Sequence, residues 1–132
     1  MNIYVIWLEM NQAKVFKIGV EGPHLKILKR QEIKHHTNHD PDNHKNMEKQ
    51  FHNIATLVAD ADEMLLVGPG LAKMHFKAYL MRHHREKLAN AIVGTKTLDH
   101  ISDSRIIEFS RHFFKIYDLY EKPVVNQVTT GL

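Results

Sequence analysis

Residues Ile3 to Leu8 read IYVIWL, apolar at both alternating sets of positions. Side chains alternate across a pleated strand. Ile3, Val5 and Trp7 would therefore face one side, and Tyr4, Ile6 and Leu8 the other. A strand apolar on both faces must be covered on both faces. This run predicts a buried central strand, with packed layers above and below it.

The next segments supply its neighbours. Met10-Asn11-Gln12 reads as a hairpin turn, because Asn tolerates unusual backbone angles. Ala13 to Val20 is the second strand, with Val15, Ile18 and Val20 among its apolar positions. Glu21-Gly22-Pro23-His24 is a strong turn signal, and Leu25 to Lys34 gives a third strand. Two tight turns joining three short strands imply an antiparallel meander.

Helices then alternate with strands. Pro41 argues against helix before it, and Asp42 or Asn43 is a suitable N-cap. The first helix is expected over His44 to Ala61, where Met47, Phe51, Ile54, Leu57, Val58 and Ala61 form one apolar stripe. Glu63 to Val67 is a short strand ending in Gly68-Pro69-Gly70. A second helix is expected over Leu71 to His84, with Leu71, Met74, Ala78 and Met81 on its buried face. Ala91 to Thr97 reads as a strand. Caps between Asp99 and Ser104 precede a third helix over Asp103 to Lys115, buried through Ile106, Ile107, Ser110, Phe113 and Phe114. The order βββαβαβα describes an α/β protein with a mixed sheet flanked by helices and right-handed crossovers. Residues 1–115 form one domain, and 116–132 a C-terminal tail that is loose or packs on a partner.

Composition narrows the function classes. At 132 residues and 43% hydrophobic content the chain can bury a core of its own. It has no cysteine, which excludes disulfides, thiolate zinc sites and thiol catalysis and fits a reducing cytoplasm. The first ten residues lack a basic n-region and read as a strand, not a signal peptide. No apolar run approaches the roughly 18–20 residues that span a membrane. The net charge of +3 is mild, and eleven histidines make it conditional on pH.

The densest chemistry is KHHTNHDPDNHKN, Lys34 to Asn46. Three readings stay open for it. A metal site would draw on His36, His39, Asp40 and His44, the residue types that hold zinc or nickel at about 2.0–2.2 Å. His44 and Glu48 share a helix face, while the adjacent His35 and His36 point apart in an extended chain. A nucleic-acid site would use Lys34, His35, His36, His44, Lys45 and Lys49 against phosphate. The third reading is a solvated connection.

Other motifs are weaker. Gly68-Pro69-Gly70 opens a helix, where backbone amides can hold an anion, but it lacks the GxxxxGK[ST] pattern. Lys73 follows in the first turn. Arg82-His83-His84-Arg85 places cations at a helix C-terminus, where the dipole favours them, and Arg82 and Arg85 are further candidates for RNA phosphate. Glu9 and Asp99 do not make the acidic cluster that a two-metal nuclease needs. Ser102, Asp103 and Ser104 near His100 read as helix caps, not a triad. No catalytic residue is expected.

The strand order, with Lys34-His35 closing the third strand, the segment VGPGLAKMHFKAYL (Val67 to Leu80) and the segment VGTKTLDHISDSRIIEFSRHFF (Val93 to Phe114), resembles the middle domain of archaeal and eukaryotic class-1 peptide release factors. It is most similar to the small bacterial form of that domain, often called translational machinery proteins. The resemblance covers about residues 2 to 115. It implies a ribonuclease H-like fold and a link to the ribosome or to peptidyl-tRNA. In release factors the loop before the first helix carries Gly-Gly-Gln, which helps water cleave the peptidyl ester. Here the matching loop, His36 to Asn43, has no such tripeptide. Gln31 and Gln50 are the nearest glutamines, and neither has a glycine beside it. The expectation is a non-catalytic protein that binds ribosome or tRNA through a basic, histidine-rich loop. Its alternatives are a metal-binding protein with zinc or nickel, and an interaction module or homodimer joined through meander edge strands or the tail.

Overall fold

The computed structural model describes residues 1–21, 24–34, 43–83 and 85–118. Its elements are β1 (Ile3–Leu8), β2 (Gln12–Glu21), β3 (His24–Lys34), α1 (Asn43–Leu57), β4 (Glu63–Gly68), α2 (Ala72–Arg82), α3 (Glu86–Ala91), β5 (Ile92–Thr97) and α4 (Asp103–Ile116). They build one five-stranded sheet in the order β3-β2-β1-β4-β5. β1 pairs antiparallel with β2 and parallel with β4. The antiparallel meander is thus one half of the sheet and the parallel strands the other. The first hairpin closes through the Glu9 N–H, which donates to the Gln12 carbonyl at 2.9 Å.

The two faces of β1 divide the core in two. Tyr4, Ile6 and Leu8 join Phe51 and Ile54 of α1, Phe76 and Leu80 of α2 and Leu88 of α3 in one cluster. Val5 and Trp7 join Phe16, Leu65, and Ile106 and Phe114 of α4 in the other. Every residue of β1 is buried, as a strand covered on both sides requires. Burying each large apolar side chain contributes about 1.5–3 kcal/mol. Both helical layers therefore draw their stability from this one strand and its partner β4.

Several boundaries differ from the sequence expectation. The first helix ends at Leu57, four residues before Ala61. Val58 and Ala61 remain buried through turns, the Ala61 N–H donating to the Val58 carbonyl at 2.9 Å, so the stripe persists after the helix stops. The second helix stops at Arg82, and a short extra helix, α3, precedes β5. The buried face of α2 also differs. It consists of Ala72, Lys73, Phe76, Tyr79 and Leu80. Leu71, Met74, Ala78 and Met81, expected in the core, are exposed. The last helix starts where expected, with the Ser102 hydroxyl accepting from the Arg105 N–H. It presses so closely on β5 that a Cβ on Gly94 would lie 2.7 Å from the Phe113 ring. No helix among the described residues is long and apolar enough to cross a membrane.

Candidate functional site

α1 and α2 lie side by side on one face of the sheet. Phe51 of α1 packs against Phe76 and Tyr79 of α2, with ring centroids 5.5 and 5.6 Å apart. Above these rings the helices leave an open groove of about 440 Å³, lined by Glu48, Lys49, His52, Asn53, Tyr79 and His83. Arg82 borders it and pairs with Glu48 at 3.4 Å. Both partners of that pair are more than half exposed, so it contributes about 0–1 kcal/mol and costs little to exchange for another anion. The exposed His83 ring rests on buried Tyr79 with centroids 4.3 Å apart. Two cationic side chains and two histidines from separate helices thus converge on one surface.

The residues proposed from sequence fall into three groups. Lys49 and Arg82 are brought together around the groove. Lys34 is exposed at the end of β3, 3.3 Å from Glu32, and Arg85 lies in the link between α2 and α3, where its N–H donates to the Leu80 carbonyl at 2.9 Å. Arg85 is the residue before α3, and Arg82 is the basic residue in the last turn of α2, where the dipole favours it. His35, His36, His39 and Asp40 lie outside the described residues, and of His44 and Lys45 only the helical backbone is described. The zinc or nickel set therefore lies almost wholly outside the described residues. Among those residues no group of three or more His, Asp and Glu is placed to hold a metal. His83 belongs to the cationic run Arg82 to Arg85 that the sequence offers for phosphate, whereas His52 and Tyr79 are not marked by the sequence. The four-residue step from Tyr79 to His83 is the one signal for Tyr79.

The Gly-Pro-Gly turn is occupied by the chain itself. Lys73 is buried, and its ammonium donates to the Gly68 carbonyl at 3.0 Å and to the Gly70 carbonyl. A lysine spent on these carbonyls makes the turn a structural joint, not an anion cradle.

A second polar cluster ties the carboxyl end of β1 to the start of α4. Glu9 accepts from the Trp7 indole at 3.0 Å, from Gln12, and pairs with the exposed His100. Burial would raise the Glu9 carboxyl, but these hydrogen bonds outweigh it and hold it below the ordinary value. Asp103 accepts from Lys14 at 3.1 Å and from the Arg30 guanidinium at 2.6 Å. Burial again works upward, and the two cations outweigh it, so Asp103 is also held low.

A carboxylate with a lowered folded-state pKa stabilises the fold above its unfolded value. That stabilisation is lost as pH falls through the folded one. The melting temperature is expected to drop on acidification below about pH 4, in the carboxylate range. Asp103→Asn should melt lower at neutral pH and show a shallower acid dependence. Parallel acid profiles for variant and parent would remove Asp103 from this role.

No family model matches the sequence, and no curated protein matches it. Solved structures do match. An archaeal translation termination factor aligns with a TM-score of 0.55 at 16% identity, over 98% of this chain and 41% of that one. Pelota from Archaeoglobus fulgidus aligns with a TM-score of 0.53 at 13% identity, over 98% and 40%. The chain spans less than half the length of either structure. At these identities the likeness is one of fold.

Proposed function

We propose that this chain is a non-catalytic, translation-related protein that binds ribosome or tRNA. Its contact surface comprises the α1–α2 groove and the histidine-rich segment that enters α1. The observation that carries this reading is the convergence of Lys49, His52, Arg82 and His83 around Tyr79. Exposed cations on two helices suit the phosphate backbone, which attracts them without reading sequence. An imidazole held against a tyrosine adds a ring on which an unpaired base can stack. The histidine-rich segment, His35 to His44, runs into α1 in the sequence and brings Lys45 with it. The fold likeness to a translation termination factor supports the setting. The missing Gly-Gly-Gln argues against peptide release, so this is a binding protein of that fold and not a releasing one.

The test is co-sedimentation with ribosomes across a salt series. One variant carries Lys49→Ala, His52→Ala, Arg82→Ala and His83→Ala. A second carries alanine at His35, His36, His39 and His44. Binding should weaken steeply with salt, and the groove variant should bind roughly 10-fold more weakly with a shallower salt dependence. The histidine variant should lose affinity mainly at acid pH, where those rings carry charge. Binding that neither variant alters would falsify the assignment of this surface.

A further inference from the structure

Helix α2 is apolar on two opposite faces. At about 100° per residue, Ala72, Phe76, Tyr79 and Leu80 gather on one side and are buried against the sheet and α1. Leu71, Met74, Ala78 and Met81 gather on the other, spaced by three and four, and run the length of the helix. Leu71 is 68% exposed, Met81 55% and Met74 44%. A surface helix ordinarily shows polar residues on its outer side, and a helix apolar all round is ordinarily covered all round. Isolated exposed apolar residues mean little, but a continuous ridge of them marks an interaction surface.

The unpaired charge at the margins of the ridge is that of Lys77, which lies along one side; His75 and Arg82 lie along the other. The helix sequence AKMHFKAYLMR contains no acidic residue. Arg82 is engaged by Glu48, whereas Lys77 and His75 have no ion-pair partner among the described residues. An apolar ridge with an unpaired lysine along one margin is complementary to an apolar ridge with an acidic margin. A second copy of this helix would set cation against cation, which disfavours self-pairing. Methionine suits such a surface because its flexible, polarisable side chain adapts to a partner's shape.

We propose that the outer face of α2 is the docking surface for an amphipathic helix of a partner protein, apolar along its centre and acidic along the margin that meets Lys77. Leu71, Met74, Ala78 and Met81 supply the apolar contact, and Lys77 selects the partner's charge. This surface lies beside the α1–α2 groove, and Arg82 stands at the edge of both.

A displayed library of helical peptides about five turns long tests this. Each peptide carries a fixed leucine stripe, with glutamate and lysine randomised along both margins. It is panned against the full chain and against the Met74→Ser, Met81→Ser double variant. The expected outcome is enrichment of glutamate along one margin. Purified winners should then bind the double variant at least roughly tenfold more weakly. Both replaced side chains point outward, so the variant should keep the parent's melting temperature. Enrichment of lysine margins, indifference to charge, equal binding to the variant, or no enrichment at all would overturn the proposal. So would a dimer in sedimentation equilibrium that the double variant abolishes, since the face would then belong to a second copy.

Discussion

Gly68→Ala is expected to lower the unfolding free energy by roughly 3–5 kcal/mol, a large fraction of what a chain of this size has to lose. Gly68 ends β4 beside the end of β1, with φ of +151°, a backbone conformation that side chains rarely adopt. A Cβ built there would lie 2.1 Å from the Leu8 carbonyl oxygen, which is backbone in the central strand and cannot swing aside. The same residue anchors the joint above. Its carbonyl accepts from the Leu98 N–H at 3.1 Å and from the Lys73 ammonium at 3.0 Å, so a shift to relieve the clash strains β5 and α2 as well. Gly70 is the internal control. A Cβ there meets nothing within 4 Å, and Gly70→Ala should change stability by less than about 1 kcal/mol. Urea unfolding of both variants decides the matter. Equal midpoints would mean that the close approach of β4 to β1 is not a fixed feature of the fold.

The central layers of this protein were readable because Ile3 to Leu8 admits only one solution, a strand buried on both sides. The meander followed from its turns, and α4 from a stripe with Ser102 ahead of it. The extra helix was not readable. EKLANA is six residues long, too short for a periodicity to stand out, and it runs without a break into β5. Asp103 was read as a local cap, yet Ser102 does the capping and Asp103 binds Lys14 and Arg30 of the meander. Glu9 reads as a lone carboxylate and His100 as a neighbour of the helix caps, but 91 positions separate them, and only the sheet brings them together. The groove residues show the same limit. That Lys49 and Arg82 are exposed cations follows from helix patterning. That they border one groove, with Tyr79 beneath His83, depends on how α1 crosses α2, which local sequence does not encode.

The face of α2 is the instructive error, and it yields the second large prediction. Periodicity allows either of two apolar stripes to face the core, because both have spacings of three and four. The stripe with Leu71, Met74 and Met81 looks as strong as that with Phe76, Tyr79 and Leu80. Pattern alone cannot rank them, since the hydrophobic effect depends on area removed from water and not on residue type. The packing ranks them. Phe76 is fully buried and meets the Phe51 ring at an interplanar angle of 57°, an arrangement that adds to its area burial. Phe76→Ala is therefore expected to cost about 3–5 kcal/mol, through lost transfer energy and the cavity left between α1, α2 and the sheet. Met74→Ala and Met81→Ala should stay within about 0.5 kcal/mol of the parent, because both residues are exposed and leave no enclosed cavity. The contrast is read from denaturant midpoints of three single variants. A large loss at Met74 or Met81 with a small one at Phe76 would turn the helix over. The outer face would then be core, and the docking surface assigned to it would disappear with it.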